Sequence, residues 1–422
     1  MTVLIRGAKV IDKASPYHLK TVDIFIDKGI VQAIGSKLKN DAATVIEKDN
    51  LHISIGWTDL FADYREPGFE HKEEIHSGLA AAAAGGFTSV CTTPNTQPSV
   101  SSKSIVQYLL KQAEAQPVQL LPLGAISANV EGKNLAEMLD MQAHGALAFS
   151  DGWKPIQNAN LMLKAFEYVK AFNGSLIQIP LDATLSAGGL MHEGVASTRL
   201  GMPGIPSIAE TLLLHRDIEL LRYTKSKLHV TGISAAESVA MIRAAKAEGL
   251  SISCSVTPYH LALNDEILSS YDAAYKVSPP IRTEADRLAL IEGLQDGTID
   301  CIASHHRPQE WDAKAKEFEY AAEGMNVQES CFAIARQATE GHVSLERLVD
   351  AMSQQANHLF GIAKGNIEEG MQANFTLFNP DISTTQISQH SKSKNNPFIG
   401  KALKGKVWGI IRKEAMVLNE QS

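Results

Sequence analysis

Apolar and polar positions alternate with two different periods along this chain. Residues 1 to about 54 hold short β-rich runs, "VLIRGAKVI", "TVDIFIDKGIVQAIG" and "ATVIEK", separated by Gly and Lys-Asn turns. That pattern predicts a small antiparallel sheet. Beyond it, apolar strand-like runs follow amphipathic helical ones: "GFTSVCTTP" after "SGLAAAAAG", "VQLLPLGAI" after "SIVQYLLKQAEAQ", "SLIQIPL" after "ANLMLKAFEYVKAFN". The same order gives "KLHVTGIS", "LSISCSVTP" and "IDCIASHH", each behind its own helix, and "ALAFS" behind "NLAEMLDMQAHG". Such β-α alternation, with β-branched strands buried on both faces, predicts a parallel sheet. With a strand near Ile53 to Leu60 the count reaches eight, as a (β/α)8 TIM barrel requires. The barrel is expected over residues 55–365. After about residue 365 β character returns in "GNIEEGMQANFTLFNP" and "GKALKGKVWGIIRKEAMVLN". Residues 1–54 and 366–422 are expected to combine into one small β-sandwich, each being too short to bury a core alone. "ISTTQISQHSKSKNN" reads as a polar loop.

Composition narrows the function classes. Of 422 residues, 44% are hydrophobic and 20% charged, an ordinary globular balance. The net charge of −8 and the lack of a basic run give nucleic-acid binding little support. No run of 18 apolar residues predicts a membrane span, and the first residues read as strand and turn rather than a signal peptide. A cytoplasmic protein is the expectation. Cys91, Cys254, Cys301 and Cys331 form no CxxC pair and are expected as reduced, buried thiols.

In a barrel of this kind chemistry sits at the C-terminal ends of the strands. Read in order, those ends carry "REPG" from Arg65, "KEE", "GGFTSV", "PNTQP", "AFSD", "GMPGIPSIAE", "HRDIELL", "KVSPPIRT" and "DGTIDCIAS". Together they resemble the type I dihydroorotases of the amidohydrolase superfamily over essentially the whole chain. The resemblance implies a barrel enzyme of pyrimidine biosynthesis that opens or closes the cyclic amide of dihydroorotate. In that family zinc activates a hydroxide and polarises the amide carbonyl. Its ligands are a His-x-His, the Asp of "FSD", two later histidines and a final Asp that also shuttles protons, a donor set that suits zinc.

This sequence departs from that set. His-x-His is replaced by Phe61-Ala62-Asp63. The later histidine positions fall on Ile179 and Gly232, and the family's "TDHAPH" reads "SHHRPQ", which puts His305 at the shuttling Asp. Asp151 alone survives, beside Gly152 rather than an acid. Arg65 and Asn95 match the positions that hold the substrate carboxylate, for which an Arg offers a planar pair of donors. Ser278 and Gln309 depart from the family's Asn and His. The turn glycines Gly68, Gly85, Gly86, Gly201 and Gly204 remain, as do Pro67, Pro94, Pro203, Pro206, Pro279 and Pro280.

The expectation is a degenerate site at Phe61, Asp63, Ile179, Gly232 and His305, with no catalytic residue and no cofactor. The chain is expected to be a homo-oligomer and a structural partner of aspartate transcarbamoylase. Two alternatives stay open: a cyclic amide hydrolase with an altered or single-metal zinc site on Asp63, Asp151 and His305 (with His306 nearby), or an anion-binding sensor using Arg65 and Asn95. Simpler roles stand beside these: Asp63 paired with His305, Arg65 paired with Glu66 or Asp151, and Asn95 capping a turn. His229 and His260 read as packed histidines. His71, His76 and His192 read as surface or loop residues.

Overall fold

The computed structural model describes residues 1–40, 43–362, 365–385 and 389–419. At its centre eight strands follow one another in chain order: Trp57–Ala62, Phe87–Thr92, Gln119–Gly124, Ala148–Phe149, Leu176–Gln178, Leu228–Thr231, Ile252–Val256 and Cys301–Ile302. Neighbouring strands pair in parallel. Beyond the last strand the circle is completed by the chain after it. The Asp63 N–H donates to His306 O at 2.8 Å, and the Ser304 N–H donates to Asp59 Oδ1 at 2.9 Å. The fold is thus the (β/α)8 barrel that the alternation predicts. Every residue of Trp57–Ala62 and Phe87–Thr92 is buried, which explains their continuous apolar character: helices cover one face and the barrel interior the other.

The helices form where stripes and caps coincide. Ala159–Lys170 buries Leu161, Met162, Ala165, Phe166 and Val169 along one side. The Asn158 side chain accepts from the N–H groups of Asn160 and Leu161 at 2.9 and 3.1 Å. Such a cap contributes about 1 kcal/mol.

The strand predicted near Ile53 to Leu60 is in fact two. His52–Ile55 belongs to a second sheet and Trp57–Ala62 to the barrel, with Gly56 between. A Cβ at Gly56 would lie 2.0 Å from Thr88 Oγ1 and 2.5 Å from Asn374 Oδ1, so a side chain is excluded where the chain crosses between sheets.

The second sheet has eight strands, drawn from both chain ends. Ala415–Leu418, Leu403–Arg412, Asn374–Thr384, His52–Ile55, Thr2–Val10, Thr21–Asp27 and Ile30–Gly35 lie side by side, and Thr44–Ile46 also pairs with Thr2–Val10. His52–Ile55 is the joint, antiparallel to Asn374–Thr384 and parallel to Thr2–Val10. The early segment is therefore not purely antiparallel. Val3, Ile5, Ile24, Ile53, Phe375, Leu377 and Ile411 share one apolar core. All four cysteines are free and buried. Among the described residues no helix is long and apolar enough to cross a membrane.

Candidate functional site

Phe61, at the end of the first barrel strand, is fully buried. Its ring centroid lies 4.6 Å from that of His305, tilted by 31°, and 5.1 Å from that of Trp153, edge-on. Trp153 also meets His305 edge-on at 5.4 Å. Above the indole, the Arg307 guanidinium sits 4.4 Å from the ring centre. The four side chains form one continuous stack. Each aromatic pair contributes about 0.5–1.5 kcal/mol beyond its buried area.

Asp63 is buried beside this stack. Its Oδ2 accepts from Arg65 Nη1 at 3.1 Å and from Trp153 Nε1 at 2.8 Å, whereas Oδ1 has no hydrogen-bond partner. The Arg65 guanidinium also lies 4.8 Å over the Phe69 ring and donates to Asn95 O at 3.4 Å. The pairings left open by the sequence, Asp63 with His305 and Arg65 with Glu66 or Asp151, give way to Arg65 with Asp63. Glu66 instead accepts from the Ile75 N–H at 2.9 Å and the Tyr108 hydroxyl at 2.8 Å. Asn95 bridges the loop beyond Asp151: Nδ2 donates to Asp151 O at 3.0 Å, and Oδ1 accepts from the Trp153 N–H at 3.1 Å.

Asp151 is turned away from Asp63 and His305. Asp151 Oδ1 accepts from the N–H groups of Ile126 and Ser127, each at 2.9 Å, and Oδ2 bonds the Ser127 hydroxyl. Burial pushes its carboxyl up to about 6, against these hydrogen bonds. His305 Nε2 bonds Thr231 Oγ1 at 2.8 Å, and Nδ1 has no partner. Burial holds its imidazole well below the ordinary histidine range, so it is neutral. His306 Nε2 faces Glu73 Oε2 at 3.3 Å. Ile179 is buried in one apolar cluster with Phe61 and Ile177.

The structure therefore does not bring Asp63, Asp151, His305 and His306 together as one donor set. Among the described residues no three His, Cys, Asp or Glu side chains are grouped so as to hold a metal. Asp63 Oδ1, His305 Nδ1 and His306 Nδ1 are buried without a hydrogen-bond partner, but they are not grouped as one donor set. Catalytic zinc takes three protein ligands converging on one point, which no group of these side chains supplies among the described residues. The residues present do not fit zinc, and no step through it follows from them.

Sequence reasoning missed Trp153 and Arg307. Both signals were in view: a Trp directly after the "FSDG" strand end, and an Arg in "SHHRPQ" where the resembling motif has Ala. It misjudged His192 and gave no sign of the burial of a polar loop. His192, expected near the surface, is 7% exposed and accepts from Arg282 Nη1 at 3.1 Å, covering the buried Arg282–Glu210 pair at 3.0 Å. In the stretch read as a polar loop, residues 386–388 lie outside the described residues, but Ser391, Ser393, Asn395 and Asn396 are buried. Their polar groups are satisfied by the barrel. Ser391 bonds Glu73, the Lys392 N–H donates to Glu73 Oε1 at 3.1 Å, and Asn395 Nδ2 donates to Arg307 O at 3.0 Å.

His229 and His260 are packed as expected. His229 sits between the hydroxyls of Ser253 and Ser255 at 2.9 and 3.0 Å, and burial lowers it to about 3. His260 bonds Thr257 and faces the Pro279 and Pro280 carbonyls at 3.2 Å each, lowered by burial to about 4.

Comparison with known proteins identifies the family and the fold. A family profile described as "Dihydro-orotase-like" matches residues 52–238. The dihydroorotase of Syntrophus aciditrophicus (strain SB) is 38% identical over 413 residues, 96% of this chain and 97% of that protein. The dihydroorotase of Acetivibrio thermocellus is 37% identical over 424 residues, 99% of each. In fold, the chain is similar to the L-hydantoinase (dihydropyrimidinase) from Arthrobacter aurescens, with a TM-score of 0.86 at 22% identity over 100% of this chain and 97% of that one. The dihydropyrimidinase from Brevibacillus agri NCHU1002 gives 0.82 at 22% identity over 99% and 95%. With that degree of identity sustained from end to end, this chain belongs to the dihydroorotase family.

Proposed function

We propose that this chain is a catalytically inactive member of its family, retained in pyrimidine biosynthesis as a structural partner of aspartate transcarbamoylase. One observation carries the reading: the stack of Phe61, His305, Trp153 and Arg307 occupies the end of the barrel where the family's ligands would converge. Amide hydrolysis at neutral pH needs a water whose pKa is brought near 7, and a metal is the family's means to that. Phe61 and Gly232 supply no donor, and Ile179 is packed into apolar neighbours. Asp63 is neutralised by Arg65 and bonded by Trp153. His305, buried and neutral, cannot replace both a ligand and a proton-shuttling carboxylate. The turn glycines and prolines persist while the chemistry is replaced by packing, which supports a retained assembly role.

A second reading rests on three unpartnered buried atoms of the candidate donor set, Asp63 Oδ1, His305 Nδ1 and His306 Nδ1. They are what an altered single-metal hydrolase would use. The anion-binding reading is less favoured, since Arg65 and Asn95 are already committed to Asp63 and to the Asp151–Trp153 backbone. The deciding experiment is elemental analysis of the purified chain beside dihydroorotate turnover with and without added zinc. Well under one equivalent of metal and background turnover are expected. Metal-dependent turnover in the unmodified chain would overturn the proposal in favour of the altered site.

A further inference from the structure

We infer that a cavity between the barrel and the second sheet binds a small oxyanion, the phosphate or carboxylate group of a metabolite, through Arg412. The cavity holds about 290 Å3, at the small end of ligand pockets. It lies at the N-terminal end of the barrel strands, opposite the stack of Phe61, His305, Trp153 and Arg307. Among its lining residues, Ile55 precedes the first barrel strand and Gln119 opens the third. Asn374 begins the strand Asn374–Thr384 and Arg412 ends the strand Leu403–Arg412.

Arg412 sets the sign of the ligand. It is half-buried, and its Nη2 donates to Gln119 Oε1 at 2.9 Å. Every other arginine of the chain that is buried or half-buried pairs with a carboxylate. Arg412 forms no ion pair among the described residues. Burial pulls it down from the ordinary arginine range, with no carboxylate to offset that cost. A guanidinium keeps its proton all the same, so a charge withdrawn from water in this way calls for a counter-charge.

The lining suits an anion and not a cation. Neither Asp nor Glu is part of it, and Lys413 adds a second positive charge. Asn357 accepts from the Thr58 hydroxyl on its Oδ1 at 2.9 Å, which leaves its NH2 group as what it offers the cavity. Asn374 Oδ1 is buried without a partner, so its NH2 group is likewise the end turned to the cavity. Asn374 and Arg412 are direct cross-strand partners, which puts their side chains on one face of the sheet, within reach of the same small group. A guanidinium fork with amide N–H groups beside it is a donor set that holds phosphate or carboxylate oxygens.

The test is isothermal titration calorimetry of the full chain with inorganic phosphate and, separately, with malonate at constant ionic strength, alongside a thermal melt of each variant. Saturable one-to-one binding is expected, and the tighter of the two anions tells whether the natural group is a phosphate or a carboxylate. Arg412→Gln should weaken binding about tenfold or more, the loss of charge-assisted hydrogen bonds. Asn374→Asp answers the same question if Arg412→Gln misfolds. It sets a carboxylate opposite Arg412, so it should abolish anion binding and raise the melting temperature of the anion-free chain. No saturable binding of either anion, binding indifferent to Arg412→Gln or Asn374→Asp, or a lower melting temperature in Asn374→Asp would each overturn the inference. Neither metal content nor turnover enters this test, so its outcome is separate from that of the inactive-enzyme reading.

Discussion

A β-carbon placed on Gly232 would stand 2.4 Å from Cε1 of His305. The two positions cannot both carry side chains in this arrangement, so the loss of a side chain at one accompanies the ring at the other. Gly232 also has a φ of +71°, a left-handed backbone that costs other residues roughly 1–2 kcal/mol. Gly232→Ala should therefore destabilise the fold by about 1–3 kcal/mol, read from the midpoint of a denaturant titration. An unchanged midpoint would mean that His305 swings aside without cost.

Restoring Phe61→His and Asp63→His together should leave dihydroorotate hydrolysis at background. Ile179, Gly232 and His305 would still stand at the other ligand positions, and Trp153 would still lie beside them. A steady-state assay with added zinc checks this. Appreciable turnover by that double variant would show that two histidines are enough to rebuild the centre.

Phe61→Ala should cost about 3–5 kcal/mol of stability, the usual range for truncating a buried aromatic. Both His305 and Trp153 lose a partner when its ring is removed. Chemical denaturation measures the loss. A cost below about 1 kcal/mol would mean that the stack packs loosely and that the barrel end is not stabilised by it.

Acid should destabilise the protein over a defined window. His229 is lowered to about 3 and His260 to about 4 by burial, against about 6.5 in an unfolded chain. Below 6.5 the unfolded state binds protons that these folded histidines refuse, so stability falls with falling pH down to the folded values and is complete above 6.5. His229→Gln should flatten the slope of unfolding free energy between pH 6.5 and 4. An identical slope in that variant would remove His229 from the account.

If the chain persists as a partner of aspartate transcarbamoylase, Arg65→Ala and Asn95→Ala should leave that association intact. Both side chains are turned to neighbours at the barrel end. Co-purification from the source organism, followed by sizing of the mixed proteins, provides the check. Failure to associate at micromolar concentration would end the scaffold proposal. Loss of association in Arg65→Ala alone would mean that the old pocket had been recruited for docking.

The barrel was legible in the sequence because its strands are buried on both faces and announce themselves as unbroken apolar runs, as "FTSVCT" and "ISCSV" do. For the candidate site the sequence offered only residue types: Phe61, Ile179 and Gly232 carry no side-chain donor for a metal wherever their neighbours lie. The contacts around Phe61 were not legible. Trp153 and Arg307 act by meeting across the barrel end, and a contact between residues so far apart in sequence leaves no local periodicity. Composition was silent on burial. A polar loop says nothing of burial, yet Ser391, Ser393, Asn395 and Asn396 are each buried, and Ser391 and Asn395 bond groups of the barrel.

The strand His52–Ile55 lies between Thr2–Val10 and Asn374–Thr384, which fixes an order of events at the ribosome. Its second neighbour is synthesised only after the whole barrel. At bacterial elongation rates of about 5–20 residues per second, that delay is on the order of tens of seconds. Throughout it the nascent N-terminal sheet presents an unpaired edge, the kind of template on which chains aggregate. Completion is withheld until the last few dozen residues emerge, so a message truncated anywhere before them yields a polypeptide that keeps its open edge and becomes a substrate for chaperones or proteases.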